Sequence, residues 1–524
     1  MKRITRILGA IGVVAVVTLL SRLGGFMRVL VQNFSLGDTA IGEAFSTANA
    51  IPNVFFEIVI GGALAGSVVP IVGRYIEKND DQEKRNVASA LMVWTFLVAS
   101  VMAGVVYFLS APLISLLMPE SRESSVVVAS TLLRIFSFQI PLYAIAVVSS
   151  GILQAHKKFF LSSFVPLLSS LVTMGAFFLF YMLAFGMHNS PEHLSYRSLM
   201  VLAWGVNGGV AMLALPQFIA VMRYVSLTWT IRFPHGVLRQ VLALSLAGLG
   251  GLIAQQVATV CIMFFANRFA DGGAYPIYTF ANAIYMLPFA VLSYPVATVI
   301  FPVFSRLIVT GEEKEISLLA MVSSRLVLYL GVIGAGILLV SARPLSVFFH
   351  LLRPVDGLYV AIVSMAPALI GFVLMYHFSR LLYSLQASRV VMFSQVGAWS
   401  CVALFLIIAG YAKGIMEREA LFFFIGSALT VGMSIGAFVQ YIFLRRLINQ
   451  DHRTFHWLKM IVIILLIICI AGISWAMAEI VMAISTHFAI IVCALIFPTF
   501  VFVGMSAFVM WKMDKDACVI LRSS

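Results

Sequence analysis

Two arginines six residues apart, Arg22 and Arg28, lie inside TLLSRLGGFMRVLVQ (18–32), a stretch that is otherwise mostly apolar. A guanidinium is planar, always charged, and offers five N–H donors in a fork that matches phosphate oxygens two at a time. At membrane depth each one costs about 2.5–3.5 kcal/mol on insertion scales, so a chain that keeps two needs a water-filled cavity or an anionic partner to receive them. Gly24 and Gly25 separate them; two glycines weaken a helix by about 1 kcal/mol each relative to alanine, which allows a bend and frees backbone N–H groups to face a ligand. A blander arrangement uses the same residues, with Arg22 and Arg28 paired to Glu43, Glu57 or helix carbonyls. Glu43 can serve both, holding an arginine at rest and releasing it when phosphate arrives.

The elements that position these side chains follow from composition. The chain has 524 residues, 62% hydrophobic and only 10% charged, with net charge +13, and a mean hydropathy of +1.04. A soluble globular surface does not tolerate such values, so this is a polytopic membrane protein. Its apolar runs are long and unbroken, which fits helices of about 20 residues crossing a bilayer core and excludes a barrel of short alternating strands. Reading runs between polar punctuation gives fourteen expected spans, close to 7–33, 43–74, 86–110, 125–153, 159–186, 197–222, 237–267, 277–305, 318–341, 357–384, 390–412, 419–444, 457–482 and 486–511. Alternate connections hold 23 of the 34 Lys and Arg residues and the other set only seven; by the positive-inside rule the first set, with both termini, is cytoplasmic. Of the four cations left within spans, Arg134 is expected to snorkel or to bond between helices, and Arg325 to snorkel to a nearby cytoplasmic end.

Short matches recur at a nearly constant offset. Ala48-Asn-Ala-Ile51 returns at 281–284, Pro70-Ile-Val-Gly-Arg74 as Pro302-Val-Phe-Ser-Arg306, Ser110-Ala-Pro-Leu as Ser341-Ala-Arg-Pro-Leu, and Leu153-Gln-Ala as Leu385-Gln-Ala. The offset encloses six spans, an even number, so the copies enter the membrane in the same sense. The expected fold is all-α: two pseudo-symmetric six-helix lobes, 1–230 and 231–455, followed by two further helices in 456–524. Two lobes around a site suit alternating access. The linker 224–236, YVSLTWTIRFPHG, has the aromatics and cations of an interfacial segment. Gly61, Gly62, Ala63, Ala65, Gly66 and Ser67 would allow close helix packing.

SRLGGFMR (21–28) together with EAFSTANAIPNVFFEIVIGGALAGSVVP (43–70) resembles the MurJ (MviN) family of lipid II flippases, within the multidrug/oligosaccharidyl-lipid/polysaccharide exporter superfamily. The resemblance maps the family's Ser-Arg and second Arg of helix 1 onto Ser21, Arg22 and Arg28, and an acid near the start of helix 2 onto Glu43. It implies that lipid II, an undecaprenyl-diphosphate-linked disaccharide-pentapeptide, is carried from the cytoplasmic to the outer leaflet of the bacterial cell membrane for peptidoglycan synthesis. Ser21, Arg22, Arg28 and Glu43 would bind substrate, with Arg22 and Arg28 on the diphosphate and the tail in a groove of the last two helices. Partners implied are lipid II, membrane lipids and the cell-wall synthesis machinery, with no nucleic acid.

Two departures are expected to make the site less cationic than in some relatives, since positions that carry further arginines there align with Phe56 and about Ala283. A sodium site of the kind some relatives have is in doubt, because no Asp or Glu occurs from Gln240 to Ala270 or from Gly357 to Met416. No HExxH, GxSxG or GxxxxGK[ST] motif is present and the nine histidines lack ligand spacing, so neither a metal nor ATP nor any other cofactor is expected, and the membrane potential is the expected source of energy. The five cysteines have no metal spacing and read as packing residues. Rival readings remain: a flippase for another polyprenyl-diphosphate oligosaccharide, a multidrug antiporter, which would want intramembrane acids, and a membrane enzyme, which would want a large outer loop with a catalytic carboxylate.

Overall fold

A computed structural model describes residues 2–58, 65–78, 80–184, 186–187, 190–233, 237–270, 272–448, 457–485 and 487–517. Gly61, Gly62 and Ala63 therefore lie outside the described residues, as do Cys518 and the end of the 224–236 linker; Ala65, Gly66 and Ser67 are described in backbone only. The described residues form helices, joined by turns and by irregular stretches such as 226–233, without strands. Eleven helical stretches are long and apolar enough to cross a membrane, or twelve if the bent pair Leu358–Met365 and Ala368–Ser384, broken by 45°, is one span. These twelve match the third to fourteenth expected spans. The first expected span is occupied by α1 (Lys2–Ser35), and the second by α2 (Ala40–Phe56) and α3 (Ala65–Glu77) on either side of residues outside the description.

The chain divides into two compact units, Met1–Gln256 and Val257–Ser524. Unit 1 continues with α4 (Asp81–Phe108), α5 (Ser110–Leu117), α6 (Glu123–Phe136), α7 (Gln139–Ala155), α8 (Phe159–Leu183) and α9 (Tyr196–Val221). The division falls inside α10 (Val237–Arg268) rather than in the polar linker. Residues of that linker are bound to α4: the Trp94 indole donates to the Ile231 carbonyl at 2.8 Å and the Thr228 N–H to Ser89 Oγ at 3.0 Å.

Breaks inside spans have local causes. Between α6 and α7 the chain makes a two-residue turn, and the buried Asn207 of α9 donates at 2.7 Å to the Ile135 carbonyl, which keeps only a long 3.3 Å bond from the Phe138 N–H, while accepting from Gln139 at 2.9 Å. Backbone groups released at membrane depth need such partners because no water is there to take them. In unit 2, α11 (Ala274–Pro288) passes through a π turn, Phe289–Ser293, into α12 (Tyr294–Thr310). Pro295 follows that turn; a proline cannot donate to the ladder and its ring pushes away the carbonyl four residues back, so a wider turn accommodates it. Glu57 and Ile58 adopt the same π geometry at the end of α2, about one repeat earlier.

Unit 2 is built around α13 (Glu313–Leu352), 83% of whose apolar window is buried, among α14 (Leu358–Met365), α15 (Ala368–Ser384), α16 (Ser388–Lys413), α17 (Arg418–Ile448), α18 (Trp457–Ile484) and α19 (Phe488–Met513). The last two expose most of their apolar surface, with 28% and 22% buried, as helices facing lipid do. They are fixed to α13 by charges as well as by packing: Glu479 of α18 pairs with Arg343, and Asp514, capping α19, lies 3.5 Å from Arg325 and accepts from the Tyr329 hydroxyl at 3.1 Å. Arg325 thus corrects the expectation that it snorkels. It is 6% exposed, because a buried carboxylate within reach holds a guanidinium better than a distant interface does.

Breaking a buried pair leaves one charge uncompensated, which costs about 3–5 kcal/mol. Asp514→Ala should lower the unfolding temperature of the purified protein in detergent, and Asp514→Asn, which keeps an acceptor for Tyr329, should fall between. An unchanged melting curve for Asp514→Ala would show that α19 is held by apolar packing alone.

Candidate functional site

Within unit 1, α1 presents Ser21, Gly25, Arg28 and Gln32 along one stripe to a cavity of about 330 Å³. The spacing of four, three and four residues is that of a single helix face. Each neighbour does the same: α2 gives Phe45, Asn49 and Asn53, α8 gives Pro166, Ser169, Ser170, Thr173 and Phe177, α9 gives Val206, Val210 and Leu213, and α7 gives Tyr143. Small residues let these helices close around it. A Cβ at Gly24 would meet Leu167 Cδ1 at 2.6 Å, and one at Gly209 would meet Thr173 Oγ1 at 2.1 Å, so α1 with α8 and α8 with α9 pack backbone to side chain.

Most lining hydroxyls are already engaged. Ser21 Oγ donates to the Ser163 carbonyl at 2.6 Å, tying α1 to α8, while Ser170 and Thr173 donate to carbonyls four residues back in their own helix. The Tyr143 hydroxyl donates to Asn53 Oδ1 at 3.1 Å, and Asn53 Nδ2 to the Asn49 carbonyl at 2.7 Å. Phe56 packs against the Tyr143 ring, centroids 4.5 Å apart. Arg28 is exposed to the cavity, and none of the described hydrogen bonds or ion pairs involves its guanidinium. Among the described residues no Asp or Glu lines the cavity. Its walls therefore carry a positive charge, uncommitted donors and no competing carboxylate, a combination that receives an anion.

Ser21 and Arg28 are brought together; Arg22 and Glu43 stand elsewhere. Six residues at about 100° each put Arg22 about 240° round α1 from Arg28, and it is exposed outside the cavity lining. Glu43, 1% exposed in the first turn of α2, is 2.5 Å from Arg122. A helix N-terminus favours that carboxylate. Arg134 donates to Ser110 Oγ at 3.0 Å and likewise lies outside the lining. Sequence reasoning missed Gln32, Asn49, Asn53 and Tyr143; the signal that finds the first is the same stripe that joins Ser21 to Arg28. In unit 2, Met263, the counterpart of Arg28 at an offset of 235, is fully buried.

The family described as "Lipid II flippase MurJ" matches residues 33–495. The chain belongs to that family. Among curated relatives, the "Probable lipid II flippase MurJ" of Buchnera aphidicola subsp. Schizaphis graminum is 25% identical over 444 residues, 82% of this chain and 81% of the relative. The "Lipid II flippase MurJ" of Burkholderia cenocepacia is 24% identical over 364 residues, 68% of each. Against the "Probable lipid II flippase MurJ" of Rhizobium meliloti, 26% identical, the match spans 60% of the relative's length. Among solved structures, "Lipid II flippase MurJ, inward closed conformation" has a TM-score of 0.72 at 17% identity, covering 94% of this chain and 98% of that one. An inward-facing MATE family transporter of the MOP superfamily has a TM-score of 0.64 at 14% identity, covering 83% and 99%. The MurJ fold is thus shared over nearly the whole chain.

The two charged groups should respond to substitution with opposite signs. Arg28→Met, removing a cation that no described ion pair compensates, should raise thermal stability, by about 1 kcal/mol or more. Arg122→Ala, removing the guanidinium beside buried Glu43, should lower it by about 3 kcal/mol. Thermal unfolding of the purified variants decides, and a destabilised Arg28→Met would make Arg28 a structural tie.

Proposed function

We propose that the chain flips lipid II from the cytoplasmic to the outer leaflet of the bacterial cell membrane by alternating access, with Arg28 receiving the diphosphate and the Ser21 hydroxyl turning from the Ser163 carbonyl to meet it. The observation that carries this reading is a polar cavity holding a guanidinium and no carboxylate, in a chain of the MurJ family. About 330 Å³ has room for a diphosphate and not for a whole disaccharide-pentapeptide, so the cavity reads the phosphates and leaves most of the headgroup outside it. Arg22, on another face of α1, acts on a different part of the path or on membrane phosphate. Glu43, paired with Arg122, sets the entry angle of α2. An antiporter of organic cations would need a carboxylate where this lining has none.

The finer architecture belongs to the same proposal: fourteen spans, both termini cytoplasmic, lobes of six spans at 1–230 and 231–455, and the last two helices, in 456–524, offering their apolar surface to the polyprenyl tail. The drive is the membrane potential, with no ATP and no other cofactor. An anion moving outward down an inside-negative potential releases about 2.3 kcal/mol per charge per 100 mV, and two phosphate charges roughly twice that. Components of the cell-wall synthesis machinery would take the product at the outer surface.

Proteoliposomes loaded with lipid II test this. Arg28→Ala should abolish flipping, and Arg28→Lys should restore only part of it, because an ammonium cannot make the forked contact. An inside-negative potential should accelerate outward movement and a reversed one slow it. Full activity of Arg28→Ala sinks the site; indifference to the sign of the potential sinks the coupling. A polyprenyl diphosphate bearing another sugar, flipped equally well, would show that the protein reads the diphosphate alone.

A further inference from the structure

At the end of unit 1 where α3 and α7 finish, a recess of about 500 Å³ is lined by Gly73, Arg74 and Glu77 of α3, by Gln154 and Ala155 of α7, and by Lys157. The second copy of the repeat shows why it is open. There the position matching Gly73 in Pro-x-x-x-Arg is Ser305, and the last residue of the helix matching α7 is Ser384; their hydroxyls bond at 2.8 Å and tie the two helices together. In unit 1 the same two places hold Gly73 and Ala155, neither able to make that bond. A Cβ on Gly73 would meet nothing within 4 Å, although glycine inside a helix costs about 1 kcal/mol relative to alanine. The space is kept open where a methyl group would have fitted and stabilised the helix.

The charges of the recess are Arg74, Lys157 and Glu77, a balance of one positive charge. Lys157 adopts φ 60°, two residues beyond the end of α7, and lines the recess, whereas its neighbour Lys158 lies over the Tyr224 ring at 5.7 Å. The next residues, Phe159 and Phe160, are 48% and 50% exposed and begin the apolar span Phe159–Leu183. The recess therefore sits where hydrocarbon gives way to headgroups, with a cation beside the phosphate level and aromatic rings beside the acyl chains.

We propose that this recess binds the phosphate of an anionic membrane phospholipid, with Lys157 and Arg74 on the phosphate and Phe159 against the chains. It is separate from the Arg28 cavity and does not rest on the identity of the flipped substrate. Because α3 and α7 both end here, the cations also oppose the negative ends of the helix dipoles, and the test must separate the two roles.

The full-length protein in neutral detergent is titrated with phosphatidylglycerol, phosphatidylcholine or inorganic phosphate, reading bound lipid by native mass spectrometry and stability by thermal unfolding. The wild type should bind phosphatidylglycerol in preference to phosphatidylcholine. Lys157→Gln should weaken that binding about fivefold, and Gly73→Leu should weaken it at least as much with every charge in place. Lys78→Gln, which removes an exposed cation outside the recess lining, should leave it unchanged. Three results overturn the proposal: no preference between the two lipids, equal losses in Lys157→Gln and Lys78→Gln, or protection by inorganic phosphate without lipid discrimination. A Gly73→Leu protein that folds and binds phosphatidylglycerol as the wild type does would also overturn it.

Discussion

A guanidinium held inside a bundle of apolar helices sets the terms for unit 1. Its charge cannot be given to hydrocarbon, so the faces around it must be polar and the space must be wet or filled by an anion. Four of the five helices, α1, α2, α7 and α8, meet that demand with amides and hydroxyls, while α9 gives Val206, Val210 and Leu213, and several of the polar groups bond back to their own helix. The lining thereby stays polar with only two bonds between helices, Ser21 to the Ser163 carbonyl and Tyr143 to Asn53, among those described. Closure is left to small residues, Gly24 against Leu167 and Gly209 against Thr173.

Several other charges within the apolar stretches are met by partners rather than by space. Glu43 has Arg122, Arg325 has Asp514, Glu479 has Arg343, and Arg134 has Ser110. All but one of these join residues more than 75 positions apart, the exception being Arg134 with Ser110, 24 apart. Pairs of this kind tie one element to another, and each tie is worth most where water is absent. Arg28 differs from them in having a cavity in place of a counter-charge, and that difference, rather than its depth alone, singles it out.

Much of this was legible beforehand, because spanning a bilayer forces long apolar runs that any reading of the sequence meets. The family could be read from residues 21–70, and twelve expected spans coincide with helices. What a linear reading could not supply were the partners of charges, which depend on packing between distant segments: nothing in the sequence near Arg325 points to Asp514. One feature was legible and passed over. The angle between Arg22 and Arg28 follows from helix geometry alone, and it separates two residues that proximity in sequence invites one to join. The repeat shows a similar limit. Its early matches keep their place in the helices, but Leu153-Gln-Ala lies within the last turn of α7 while Leu385 is already the cap of α15, so that match is three residues out of structural register.

The π turn at Phe289–Ser293 has an effect on everything beyond it. One extra residue in a turn rotates the remainder of a helix by about 100° relative to an unbroken ladder. A side chain before the turn and one after it, spaced as though on a common stripe, then look in different directions. In α11 and α12 this splits one span into two halves with separate allegiances: α11 keeps its aromatic face, Tyr275, Tyr278 and Tyr285, in the protein interior, while Val299 and Val303 beyond the turn are open to the surroundings. One continuous span of 37 residues thus turns its buried face in two directions, each set by its own neighbours.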